Sequence, residues 1–319
     1  MARYRNALPQ LADRFFLTDG GIETTLIFHE ELDLPYFAAF HLLGTPAGIK
    51  SLQKYFRTYA ALAAKFDTGL ILESATWRAN PDWAQKLGYT AAELAETNGS
   101  AVRLLEEIRS EYETPRIPMV ISGCVGPRGD GYVPDALMSE QEAEAYHSEQ
   151  IATFADTAAD MVCAITMSYV AEAVGIARAA KRAKMPVAIS FTVETDGTLA
   201  TGQSLKAAIT EVDEATAAYP AYYMINCAHP SHFDTALRAR EPWAARIRGL
   251  RANASRMSHA ELNDAPTLDI GDPQELGSEH AALKRRLPGL NVMGGCCGTD
   301  HRHVEEIAIA CAPLFRAAS

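Results

Sequence analysis

Eight short, almost wholly apolar runs recur along the chain: FFLTDGG (15–21), TGLILES (68–74), IPMVISG (117–123), MVCAIT (161–166), MPVAISFTV (185–193), AYYMINC (221–227), RIRGLRANA (246–254) and LNVMGGCCG (290–298). Between them, apolar residues spaced by three and four predict helices over 51–66, 91–112, 139–159, 170–183, 204–219 and 303–315. Ser204 and the pair Thr299-Asp300 are placed to cap the last two. Near-continuous apolar strands alternating with helices mean parallel strands covered on their outer side.

Eight such units in 319 residues fit one α/β domain, a (β/α)8 TIM barrel spanning 1–319. An open doubly wound sheet is the alternative, but the dinucleotide fingerprint GxGxxG is missing after the first strand. The less regular stretches 27–49, 75–90, 124–138 and 194–203 each follow a strand. They read as long βα loops, which in a barrel build the active-site face.

The charge balance narrows the partners. Twenty-nine Lys and Arg stand against 40 Asp and Glu, a net charge of −11, with no basic stripe to displace the counterions of a polyanion. Nucleic acid is not an expected partner. The start, MARYRNALPQLADRFFLTDGG, has no signal-peptide core, and nowhere does the chain run apolar for the roughly 18 residues of a membrane span. A cytoplasmic protein that acts on small molecules is expected, with a homo-oligomer left open. Six cysteines in so long a chain are too few for a disulfide scaffold and suit packing, metal binding or catalysis.

Their placement is the informative part. Cys227 ends the sixth run and the pair Cys296 and Cys297 ends the eighth, so parallel strands bring all three to one rim. Three converging thiolates suit a tetrahedral, borderline-soft ion, for which zinc is the candidate, and leave a fourth position open as catalytic sites do. Gly294, Gly295 and Gly298 surround the pair and allow the crowded or left-handed backbone that aims adjacent side chains at one ion. The alternatives are two packed core cysteines or a disulfide within the pair.

MINCAHP followed by VMGGCCGTDHRHVEEI resembles the homocysteine S-methyltransferase family, and so do DGGIET (19–24), GCVGPRGDGY (123–132) and FTVETDGTLATGQSL (191–205). The resemblance runs from the first strand to the last helix. It implies a (β/α)8 barrel with zinc on the cysteines matching Cys227, Cys296 and Cys297, and a methyltransferase that passes a methyl group from a small onium donor to a thiol acceptor. It also implies an acceptor site at Asp19 and Gly20, with Glu23 and Thr24 in the same turn and Thr166 and Asn226 at two further strand ends. Asn226 could instead satisfy strand-end backbone.

One position departs from the pattern. Family members usually end the fourth strand with a glutamate before a threonine, a carboxylate that helps hold the amino group of homocysteine; here Ile165 precedes Thr166. Either Glu73, Glu172 or Glu194 takes over, or the acceptor is another thiol. Glu172 also suits the start of a helix, where the dipole favours an acid. His229, His301 and His303 lie next to the cysteine motifs and are read as capping or exposed residues before ligands. Cys124, Cys163 and Cys311 are expected to pack, and Trp77, Trp83, Tyr132 and Tyr169 fall on or near rim loops where aromatic faces suit a cationic donor. A phosphate-binding barrel enzyme and a non-enzymatic zinc or redox protein remain as further readings.

Overall fold

A computed structural model of the chain describes residues 1–134, 137–237 and 241–316. Eight parallel strands close into a barrel in sequence order: β1 (Phe16–Leu17), β2 (Gly69–Glu73), β3 (Met119–Val125), β4 (Met161–Met167), β5 (Val187–Phe191), β6 (Tyr222–Asn226), β7 (Ile247–Ala252) and β8 (Val292–Gly295). Closure is made by β1, whose Phe16 sits opposite Gly69 on one side and Val292 on the other. Gly69 has to be glycine there, because a Cβ would lie 2.3 Å from the Phe16 ring.

Side chains alternate between two apolar layers, as the period of a strand requires. Phe16, Ile71, Val120, Met161, Tyr222 and Met224 fill the barrel interior. Leu70 and Leu72, on either side of Ile71, pack outward against the helices. All residues of β2 to β6 are buried, which is why these strands read as continuous apolar runs.

The helices are α1 (Pro46–Phe66), α2 (Pro81–Lys86), α3 (Ala91–Tyr112), α4 (Glu140–Ala155), α5 (Val170–Arg182), α6 (Leu205–Thr216), α7 (Pro230–Phe233), α8 (His259–Asp264), α9 (Pro273–Arg286), α10 (His301–Cys311) and α11 (Pro313–Arg316). Ser204 caps α6 as expected, accepting from the Ala207 amide, and Asp300 caps α10, which therefore starts two residues before the predicted 303. Thr45 accepts from the Gly48 amide and Pro46 takes the first helical position, so α1 begins well before 51. The predicted helix over 139–159 stops at Ala155. The sequence pattern does not predict α9, nor the short turns of helix inside 27–49 and 75–90.

The N-terminal segment is tied to the barrel away from the cysteines. Asn291, just before β8, donates from Nδ2 to the carbonyls of Gln10, Ala12 and Arg14, and buried Asp160 accepts from the amides of Tyr4 and Ile121 and from Arg109. Among the described residues no helix is long and apolar enough to cross a membrane.

Candidate metal centre and acceptor pocket

Strand ends converge, and the three cysteines converge with them. Cys227 follows β6 in a left-handed conformation (φ 51°), and Cys296 and Cys297 follow the last residue of β8. The sulfurs of all three lie within 4.8 Å of one another. The backbone clasps the pair from both sides: the Cys296 amide donates to Ala252 O at 2.8 Å, and the Cys297 carbonyl accepts from the Ala254 amide at 3.0 Å. Two glycines behave as anticipated. At Gly294 a Cβ would lie 2.0 Å from Thr18 Oγ1, and Gly298 takes φ +77° with the Asp269 carbonyl 2.6 Å from where a Cβ would be.

In this structure Cys227 and Cys296 are joined as a disulfide, while Cys297 is free and its sulfur stands 3.8 Å from that of Cys227. The pairing is thus across two strands and not within the adjacent cysteines. Tetrahedral zinc with bonds to sulfur of about 2.3 Å puts its ligands about 3.8 Å apart. The donor set and its spacing fit zinc once the disulfide is reduced. Cys297 opens to the cavity beside it; burial by the surrounding protein pushes its thiol up, and the Tyr132 hydroxyl, 3.7 Å away, partly counters this.

Asn226 lies fully buried beneath the cluster. Its Oδ1 accepts from the Thr166 amide at 3.0 Å and from Ser190 Oγ at 2.6 Å, and its Nδ2 donates to Thr166 Oγ1 at 2.9 Å. Thr166 needs this support because it sits at φ 67°, a conformation costly for a β-branched residue. The Asn226 amide thus bonds strand-end backbone, and its Nδ2 also lies 4.0 Å from Cys296 Sγ.

A cavity of about 480 Å³ opens above the cysteines. Asp19, Gly20, Glu23 and Thr166 line it, together with Glu73, Cys124, Ile165, Arg78, Trp77 and Tyr132. The segment after β7 forms one wall through Asn253, Ser255, His259 and Leu262. Asp19 is already partnered: Arg251 Nη2 reaches Oδ1 and the Tyr55 hydroxyl donates to Oδ2 at 2.8 Å. Burial raises the Asp19 carboxyl, while Arg251 and Tyr55 pull it back down. Burial also lifts Glu23 to about 7, and lifts Glu73 to about 8 against the partial offset of Arg251.

The remaining predicted residues divide. Glu172 is buried against His147 and the Arg128 amide, and Glu194 meets His259, so of the three substitute acids Glu73 alone lines the cavity. His229 caps α7 and faces Glu279, His303 bonds Asp300 and the Ile270 carbonyl, and neither joins the thiol cluster. Cys163 and Cys311 are buried in the core. Trp83 stacks under Arg78, and the Tyr169 hydroxyl accepts from the Met138 amide. Arg251, Tyr55, Arg78 and His259 are not anticipated by the sequence pattern. Arg251 has one legible sign, a cation near the carboxyl end of an apolar run, the same relative place as Asp19.

Comparison with known proteins agrees with this fold. The family model described as homocysteine S-methyltransferase matches residues 16–311. The homocysteine methyltransferase MmuM from Escherichia coli, in its oxidised form, superposes with a TM-score of 0.75 at 19% identity, covering 99% of this chain and 100% of that one. Its metallated form gives 0.73 at 19% identity, covering 95% and 98%. At such identity these likenesses speak for the fold. Methionine synthase from Mycobacterium tuberculosis (strain ATCC 25618 / H37Rv) is 27% identical over 225 residues, 67% of this chain but 18% of that protein, so the chain spans under a fifth of that relative. Fold, thiol cluster and family match together define a (β/α)8-barrel methyltransferase. The chain belongs to the homocysteine S-methyltransferase family.

Proposed function

We propose that this protein transfers a methyl group from a small onium donor, of the S-methylmethionine, betaine or S-adenosylmethionine type, to a small thiol, with homocysteine giving methionine as the default reaction. The carrying observation is the gathering of Cys227, Cys296 and Cys297 beside a cavity large enough for two small substrates. Zinc on these three thiolates would supply the Lewis acidity that keeps an alkyl thiol, with an ordinary pKa near 8.5, in its nucleophilic form at neutral pH.

The chain's own residues do the rest. Asn226 holds the β4 end against β6, and the clasp at Ala252 and Ala254 holds the cysteine pair against β7. Rigid strand ends align acceptor and donor, and alignment alone contributes several kcal/mol to a displacement of this kind. The acceptor sulfur forms the new bond to carbon as the donor's onium bond breaks, and the donor leaves neutral with that electron pair. One face of Trp77 already carries Arg78, 4.1 Å from its ring centre, and Tyr132 stands 4.3 Å from the His259 ring, so exposed Phe28 and Phe37, which also line the cavity, add aromatic surface for a cationic methyl donor beside these two. The whole activity is assigned to the barrel as one domain.

Ile165 favours a second reading, in which the same chemistry acts on a thiol other than homocysteine, because an apolar side chain lines the cavity where the family resemblance implies an acid. The test is a screen of reduced, zinc-loaded protein with homocysteine and other thiols against the three donors. Methionine formed with one donor supports the first reading. Methylation of another thiol alone supports the second, and no methylated thiol with any pair contradicts both.

A further inference from the structure

Glu73, the last residue of β2, is 6% exposed and lines the cavity, yet its Oε1 meets no hydrogen-bond partner among the described residues. Its Oε2 stands 3.9 Å from Arg251 Nη1, beyond hydrogen-bond length, and the buried Ser122 hydroxyl opposite it on β3 tempers the carboxyl without reaching Oε1 at hydrogen-bond distance. A buried acid left in this state is costly unless something else supplies the missing donors. The other acids around the site differ. Asp19 has Arg251 on one oxygen and Tyr55 on the other, Glu172 has His147 and a backbone amide, and Glu194 has His259. Glu23 lines the same cavity, partly exposed to it, and is the competing acid that the experiment below separates from Glu73.

Two strands round the barrel from Glu73, the cavity wall carries no charge at Ile165. Ile165 at the end of β4 presents an apolar surface continuous with Cys124 and Cys163. Arg251 lies between the two acids and hydrogen-bonds Asp19 but not Glu73, from which its Nη1 stays 3.9 Å away.

We infer that Glu73 holds the amino group of the acceptor thiol, so that the residue selecting an aminothiol over a plain thiol sits on the second strand, while Asp19 is a positioning residue for Arg251. The inference rests on reading the cavity as the acceptor site. An ammonium brings three N–H donors, and the orphaned Oε1 accepts one of them in surroundings where little water competes. Burial holds Glu73 near 8 until the ammonium arrives, and it gives up its proton as the positive charge settles beside it.

The test is a calorimetric titration of reduced, zinc-loaded full chain with homocysteine and with 4-sulfanylbutanoate, the same acid thiol without its amine. Wild type should bind homocysteine about tenfold or more the tighter, the difference expected of a charge-assisted hydrogen bond. Glu73→Gln should bind the two alike while leaving 4-sulfanylbutanoate affinity unchanged, and Glu73→Asp should keep part of the preference. Unchanged zinc content and circular dichroism confirm that each variant folds. A preference that survives in Glu73→Gln, or that Glu23→Gln erases instead, overturns the inference. Wild type binding both thiols alike also overturns it while leaving the acceptor reading intact, whereas wild type binding neither contradicts the acceptor reading itself.

Discussion

The sulfur of Cys297 lies 3.8 Å from that of Cys227, the separation two thiolates take on one tetrahedral zinc ion. Cys296 is meanwhile bonded to Cys227, so two of the three sulfurs serve either a metal or a disulfide and never both together. Oxidation of zinc-loaded protein with diamide should therefore release the metal and consume two thiols per chain, and dithiothreitol with added zinc should reverse both. A zinc-sensitive dye and a thiol titration read this directly. Zinc retained through full oxidation of Cys227 and Cys296 would contradict the assignment of the ligands.

Asn226→Ala removes three buried hydrogen bonds at once and releases Thr166 from its left-handed conformation. Leaving such partners unsatisfied costs about 1 to 3 kcal/mol each, offset in part as Thr166 relaxes from its strained backbone. Urea unfolding should show a loss of about 2 to 4 kcal/mol, and methyl transfer should fall at least about tenfold because the β4 and β6 ends move apart. Wild-type stability in the variant would mean that these bonds do not hold the strand ends.

Burial lifts Glu73 from the ordinary 4.5 to about 8 and Glu23 to about 7. Between about pH 5 and pH 8 the folded chain thus retains protons that the unfolded chain has released, and stability falls as pH rises through that window. In Glu73→Gln the fall should be shallower, measured by urea unfolding at pH 5, 6.5 and 8 with wild type and variant at equal zinc content. Parallel slopes for the two proteins would show that Glu73 ionises as an ordinary glutamate.

If the acceptor's amine follows the acid, it should follow the acid across the barrel. Glu73 and Ile165 line the same cavity from β2 and β4. Exchanging them in the double variant Glu73→Ile, Ile165→Glu should retain homocysteine affinity, whereas Glu73→Ile alone should lose it. The Michaelis constants of the three proteins decide the matter: equal values for the single and double variants would show that an acid at position 165 does not restore the amine contact.

Much of this molecule is legible in its amino-acid sequence, and the illegible parts have physical causes. The eight strands stand out because parallel strands covered on both sides are apolar throughout, and the cysteines at two strand ends point to one rim. Helix α9 escapes the pattern because Gly277 and His280 occupy buried positions where aliphatic residues are looked for; Gly277 packs directly on the Glu306 backbone. Arg251 escapes it because a cation in a strand reads as a solvent-facing residue, while here it is buried and neutralised by Asp19. The wall built from 253–269 is hidden by a polar composition that resembles an ordinary surface loop. The bonds of Asn226 to Thr166 and Ser190 join strands distant in sequence, so no local pattern announces them.

The most direct test of the central claim compares reduced wild type with Cys297→Ala in the same assay, measuring zinc per chain together with methyl transfer to homocysteine. Cys297 is the exposed member of the three, so its truncation should leave the core packing and the circular dichroism unchanged. One zinc per wild-type chain with methionine formed, and neither in Cys297→Ala, is the predicted result. Full methyl transfer by Cys297→Ala without bound zinc would contradict the account.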